Sequence, residues 1–229
     1  MPIALEAIKM AVDRKTLDKA VGGTLLVGVL GFLVLSSPWT WSLTHPGRTL
    51  PDLAGADLAN GRNVLLASHC ANCHESAGQN NDTLLGGGRK LDTKFGVFHM
   101  PNISPNKTTG IGNWTLEQFD RAMREGVGPG GIFPDGRNLY PSFPYTSYQR
   151  MTGEDARDLY VSMMSLAPVS HQAADHELKL PINLRRGVGV WRLAFLDGKR
   201  GEEGPSPEGV DVALYKRGEY LVEGAGHCA

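Results

Sequence analysis

Cysteine is scarce in this chain, with three residues in 229. Cys70 and Cys73 stand three positions apart, and Cys228 lies alone far downstream. A closed structural zinc site needs four ligands, usually completed by a second Cys or His pair. His69 and His74 flank the first pair too closely to join it around one tetrahedral ion, so zinc is the weaker reading. A thiol redox pair wants a strand before it and a βαβ context, and neither is visible. Net charge is equally scarce. The 23 Lys and Arg and 24 Asp and Glu leave −1, which argues against nucleic acid as a partner. Aromatic residues make up 7% of the chain, whereas glycine (29) and proline (14) are abundant. That mix implies loop-rich structure with short helices, in one to two domains.

Charge is absent altogether from one stretch. None falls between Lys19 and His45 or Arg48, and Ala20 to Leu35 is almost free of polar residues. With the flanking Ser36 to Leu43, this run is long enough to cross a bilayer. Lys9, Arg14, Lys15 and Lys19 precede it, which puts the N-terminus in the cytoplasm. Trp39 and Trp41 follow it, where an interfacial aromatic belt belongs. A cleaved signal peptide has a shorter apolar region and a small-residue cleavage site. Ser36-Ser37-Pro38 is a poor one, so the run is read as an uncleaved anchor with everything after it exported.

The pattern Cys70-Ala71-Asn72-Cys73-His74 reads C-x-x-C-H, the attachment motif of a c-type haem. Two thiols at this spacing can each form a thioether with one haem vinyl group. The next residue, His74, then lies under the iron as its proximal ligand. Such a chain moves electrons or does redox chemistry. The haem also adds a large apolar body to a modest protein core. Export fits, because thioether attachment takes place outside the cytoplasm in bacteria.

The remaining signals order the chain around that motif. Residues 1–44 form the cytoplasmic N-terminus and anchor, and 45–52 a linker. Residues 53–168 form the haem domain, 169–216 a loop-rich linker, and 217–229 the start of a second domain. A helix over 58–68 delivers Cys70. Loops follow at Gly86-Gly87-Gly88 and 101–112. Thr115 and Gln118 have capping-box spacing after Trp114; Leu116, Phe119, Ala122 and Met123 then recur at helical spacing, and Gly126 closes the helix. Thr152 caps the last helix, with Leu159, Tyr160, Met163 and Leu166 as its buried stripe and Pro168 at its end. This mainly α order resembles the layout of a class I cytochrome c domain. In the 169–216 segment, the basic-apolar run from Leu180 to Leu196 has arginines that face solvent, lipid phosphates or a partner.

The chain end echoes the start of the haem domain. Gly218 to Ala229 is similar to Gly61 to Ala71 with one insertion, and His-Cys-Ala recurs. Cys228 therefore reads as the first cysteine of a second motif that stops short, with a second haem implied if the chain continues.

Several stretches carry a family resemblance. They are Phe95 to Phe98, Pro101 to Pro105, Thr109 to Trp114, Asp135 to Tyr148 and Tyr220 to Gly224. They resemble the membrane-bound, multi-haem cytochrome c subunits of bacterial periplasmic alcohol, aldehyde, gluconate and fructose dehydrogenases. The resemblance implies an inner-membrane subunit with its haem in the periplasm. A dehydrogenase catalytic subunit would feed it electrons, and ubiquinone or a terminal oxidase would accept them. Membrane lipid is a further partner. Many relatives carry methionine where Phe143 stands, so the sixth iron ligand is sought elsewhere. Met151, which matches a recurring family methionine, is the chosen candidate, ahead of Met100. Asn102, Arg137 and Tyr140 sit on the same loops and can hold haem propionates or simply brace those loops. The alternative is a haem enzyme, such as a thiosulfate dehydrogenase or a peroxidase, with an open sixth position.

Overall fold

The computed structural model describes residues 14–131, 136–198 and 205–228. Lys9, Asp135, Ala229 and residues 199–204 of the loop-rich segment lie outside the described residues. The described residues begin with the long helix α1 (Arg14–Leu35) and the short α2 (Pro38–Ser42). Next come α3 (Leu58–Ala67), α4 (Cys70–His74), strands β1 (Lys90–Thr93) and β2 (Gly96–His99), and α5 (Leu116–Glu125). Strands β3 (Val127–Gly128) and β4 (Arg137–Asn138) precede α6 (Tyr145–Tyr148) and α7 (Gly153–Met164). The last elements are β5 (Glu177–Leu178), α8 (Gly187–Phe195) and α9 (Val212–Glu223).

The helix boundaries follow from local chemistry. Asp57 caps α3 by accepting from the amides of Ala59 and Asn60 at 2.8 and 3.0 Å. In α5 the Gln118 amide donates to Thr115 Oγ1 at 3.2 Å, and the Thr115 amide donates back to Gln118 Oε1 at 3.0 Å. That is a complete capping box. Gly126 ends the helix at φ 64°, and a Cβ there would fall 2.5 Å from the Tyr145 ring. Thr152 caps α7 through the Asp155 amide at 3.1 Å.

Helices α3 and α7 cross at van der Waals contact. A Cβ on Gly61 would lie 2.1 Å from the Asp158 carbonyl oxygen, so only glycine fits. Polar groups bind the same crossing. Asn60 Nδ2 donates to Asp155 at 2.7 Å and to Asp158 at 2.8 Å, and Arg217 of α9 pairs with Asp155 at 2.7 Å. Burial pushes both carboxyls up, but these partners outweigh it and hold them below their ordinary value. The core beside the crossing contains Val64, Leu85, Phe119, Met123, Leu159 and Met163.

Two expectations need correction, and a third is filled in. Trp41 does not face an aromatic belt. It is 1% exposed, and its indole N–H donates to the Leu196 carbonyl at 3.0 Å. The 169–216 segment, read as a loop-rich linker, packs on its neighbours and adds a strand and a helix. Its β5 pairs antiparallel with β2, making a sheet of order β1-β2-β5, and α8 packs against α1 and α2. The last helix, α9, starts at Val212, before the expected boundary at 217.

Gly61→Ala should therefore strain the α3–α7 crossing and cost about 1–3 kcal/mol. Thermal unfolding of the haem-loaded chain checks this against Gly187→Ala, where nothing lies within 4 Å of the added methyl group. Equal melting temperatures for the two variants would refute the close crossing.

Candidate haem site

The motif is placed by a sharp turn at the end of α3. His69 adopts the left-handed conformation (φ 51°, ψ 31°), which is costly for a residue with a Cβ. The turn is braced where Tyr148 Oη donates to the Ser68 carbonyl at 2.9 Å. It lets α4 start at once, so Cys70, Cys73 and His74 fall on little more than one helical turn. Burial pushes the Cys70 thiol up to about 12, against the pull of its backbone hydrogen bond. Such a thiol stays protonated at neutral pH, the reverse of an activated redox thiolate. Among the described residues, no three His, Cys, Asp or Glu side chains converge as a metal held by side chains alone would require.

His74 is oriented by a second loop. Its Nδ1 lies 2.8 Å from the Pro101 carbonyl oxygen. A carbonyl only accepts, so Nδ1 carries the proton and the Nε2 lone pair is left to ligate. Burial lowers the imidazole pKa, which keeps the ring neutral and able to bind a metal. The glycine loop makes this arrangement possible. A Cβ on Gly87 (φ 73°) would meet the Met100 and Pro101 carbonyl oxygens at 2.5 Å. The Gly87 amide donates to the His74 carbonyl at 2.8 Å.

Cys70, Cys73 and His74 line a cavity of about 440 Å³, within the about 300–1,000 Å³ typical of cofactor sites. Its walls come from α4, the 98–103 strand and loop, α5, α7 and the 137–148 loop, with Ile103, Ile111, Phe119 and Leu159 among the apolar contributors. The residues present fit a porphyrin. Two thiols and a correctly protonated imidazole stand on one wall of an otherwise largely apolar space, and Arg137 and Arg185 line it as well.

The other sequence candidates divide. Asn102, Arg137 and Tyr140 line the cavity; Met151 does not. Met151 is 1% exposed and packs into the core with Val64, Ala156 and Tyr148. Its position is held from both sides. Its amide donates to the Tyr148 carbonyl at 2.9 Å, and its own carbonyl accepts from Arg48. In this arrangement Met151 lies in the core beside the cavity and not on its lining. Met100, Met123 and Met163 do line the cavity.

Asn102 is engaged in bracing its loop. Its Nδ2 lies within 3.1 Å of Thr109 Oγ1 and the Val169 and His171 carbonyls, and its Oδ1 accepts from Ser104 at 2.9 Å. Tyr140 donates its hydroxyl to the Ile182 carbonyl at 3.0 Å. Arg137 lies at the edge of the cavity on β4.

Sequence reasoning missed Arg185 and His176, which line the cavity from the segment read as a linker. The Arg185 guanidinium lies 4.4 Å over the Tyr140 ring and donates to the Asn138 carbonyl at 3.2 Å. Burial and the neighbouring Arg137 lower its pKa. His176 accepts from the His99 amide at 3.1 Å through Nδ1. Burial, and then the positive fields of Arg185 and Arg137, lower its pKa to about 4. Both arginines therefore act at one end of the cavity, where an anion would relieve their repulsion. The sole signal in the sequence was the basic-apolar run itself, which does not say which way its arginines point.

Residues 58–167 match the family model described as Cytochrome c. The chain is 40% identical over 202 residues to one of the nicotinate dehydrogenase subunits of Pseudomonas putida, covering 87% of this chain and 16% of that protein. It is 37% identical over 212 residues to a diheme cytochrome c-type protein of Cereibacter sphaeroides, covering 90% and 67%. It is 35% identical over 176 residues to the fructose dehydrogenase cytochrome subunit of Gluconobacter japonicus, covering 75% and 33%. The chain thus spans only a sixth to two thirds of these relatives' length. Motif, oriented histidine, cavity and matched sequence agree that this chain belongs to the cytochrome c family and carries covalent haem.

Proposed function

We propose that the chain is a membrane-anchored electron carrier. In this reading it takes electrons from a periplasmic dehydrogenase catalytic subunit and passes them to ubiquinone or a terminal oxidase. The observation that carries it is the Nδ1 hydrogen bond to Pro101, which prepares His74 for iron beside two cysteines on the same turn. Cys70 and Cys73 would hold the haem by thioethers, and His74 would ligate the iron. Once bound, the haem supplies reversible one-electron exchange. The protein's part is to exclude water from the apolar walls, fix the ring of His74, and set a positive field at one end through Arg137 and Arg185. Asn102 and Tyr140 support the loops that form this end.

The dehydrogenase partner is suggested by the relatives, several of which are cytochrome subunits of dehydrogenases. The membrane anchor is supported by Thr16–Leu35, which is long and apolar enough to cross a bilayer. Within this reading, the position of Met151 gives some support to the second possibility, a haem enzyme with an open sixth site. A thioether ligand would have to come instead from Met100, Met123 or Met163.

Three outcomes follow from these assignments. The denatured wild-type chain should retain the mass of a haem, and the Cys70→Ala/Cys73→Ala double variant should lose it. Retention by the double variant would reject the attachment site. Met151→Leu should leave the ferric visible spectrum unchanged while costing less than about 1.5 kcal/mol in stability. Loss of a methionine-to-iron charge-transfer band in that variant would restore Met151 as ligand. A wild-type ferric spectrum that is high-spin and shifts with small ligands would favour the enzyme. Arg185→Gln removes a positive charge near the cavity and should lower the midpoint potential by on the order of tens of millivolts. A potential unchanged in redox titration would mean that Arg185 does not act on the haem.

A further inference from the structure

Helix α8 is inside out. Its one charged residue, Arg192, is 1% exposed and donates to Asn138 Oδ1 at 2.9 Å and the Glu125 carbonyl at 3.4 Å. Val188, Gly189 and Leu196 are buried on the same side. The exposed side carries Val190, Ala194 and Phe195, at the spacing of one helical face, while Trp191 between them sets its ring edge-on to the buried Tyr145 at 6.2 Å. Val190 is 39% and Phe195 63% exposed, and the Trp191 and Phe195 rings lie 5.2 Å apart. A helix beside water shows the reverse pattern, with its charges outward.

The position of α8 indicates what covers this face. Arg186, just before the helix, donates to the Leu33 carbonyl at 2.9 Å and to Ser36 Oγ at 3.0 Å. A Cβ on Gly189 would fall 2.0 Å from the Ser36 carbonyl oxygen, so the two backbones touch. Helix α8 therefore lies beside the last turn of α1. At that level the side chains of Val34 and Leu35 are 47% and 50% exposed. The exposed face of α8 thus lies on a helix in direct contact with the exposed end of α1.

We propose that the Val190–Phe195 face of α8 is seated in the periplasmic leaflet of the bilayer that α1 crosses. The occupant is lipid, because the face continues the apolar surface of the span and carries no charge. Interfacial helices normally supply their own polar side; here the protein body takes that place, and the apolar side would sink about 5–10 Å into the headgroup and acyl boundary. The inference rests on α1 being the anchor.

The test uses the full, haem-loaded chain in phosphatidylcholine–phosphatidylglycerol vesicles. Nitroxides are attached at Val190→Cys and Phe195→Cys in a Cys228→Ser background, since Cys70 and Cys73 are held in thioethers. Controls carry the label at Leu25→Cys in α1 and Leu214→Cys on exposed α9. Labels at 190 and 195 should collide with oxygen more than with a water-soluble nickel chelate, as at 25 and opposite to 214. Labels at 190 and 195 that behave like 214, while 25 stays in lipid, overturn the inference and leave that face for a protein partner. A label at 25 that is open to nickel rejects the anchor itself. If the cysteine variants fail to take up haem, wild-type chain in vesicles doped with a lipid photoreactive near the top of its acyl chain gives the same reading. Crosslinks in residues 187–196 are then expected, and crosslinks confined to α1 count against the proposal.

Discussion

The close crossing of α3 over α7 is the contact on which the haem site depends. Gly61 lets the backbones meet, and Asn60, Asp155, Asp158 and Arg217 bind them. From that crossing α3 runs directly to His69 and the cysteine motif, while α7 sends Leu159 and Met163 into the cavity wall. Buried carboxylates at such a point are costly unless their lone pairs are used. Here they are used by groups from α3, α7 and α9 together. A polar cluster of this kind fixes one relative placement of three helices, where apolar packing alone tolerates neighbouring ones.

Local chemistry explains which parts of this arrangement were legible in the sequence. The capping box at Thr115 and Gln118, the cap at Thr152 and the glycine stop at Gly126 involve residues a few positions apart, and they fold as they read. The cysteine motif is equally local. Met151 shows the limit. Its place after a proline-rich loop is readable, but its burial with Val64 and Ala156, and the hold of Arg48, 103 residues away, on its carbonyl, are not. Trp41 and Arg192 fail in opposite ways for the same reason. The tryptophan expected at an interface is buried against Leu196, and an arginine that reads as a surface charge is buried against Asn138. Non-local hydrogen bonds override composition in both cases.

The segment after residue 168 is the largest such case. It joins the rest of the structure through a two-residue strand, β5, through helix α8 and through individual side chains. Those side chains nonetheless shape the site. Arg185 and His176 line the cavity, and Asn102 anchors the segment through the Val169 and His171 carbonyls. The result is a cavity with an attachment wall of thiols and imidazole and a positive end of arginines. The arginines offer charge-assisted hydrogen bonds to any carboxylate that enters the cavity beside them.

The same buried polar contacts connect the cavity to the anchor. Asn138 Nδ2 donates to the Ser36 carbonyl at 3.2 Å, while its Oδ1 accepts from Arg192. Leu139, the next residue, lines the cavity. Glu125 accepts from Ser42 of α2 at 3.2 Å and from Arg121 at 3.2 Å on its own helix, α5, whose Met123 also lines the cavity. Arg48, in the 45–52 stretch read as a linker, is tied to Asp120 of α5. The haem domain is therefore not tethered loosely to α1. It is pinned to the end of α1 and to α2 at several buried points. Electron exchange depends on how closely two redox groups approach, so a fixed attitude toward α1 restricts which edge of a haem held in the cavity a redox partner can reach. The buried charges near the anchor then have a reason beyond stability: they specify a direction for the cavity relative to the span, which an apolar joint would leave free.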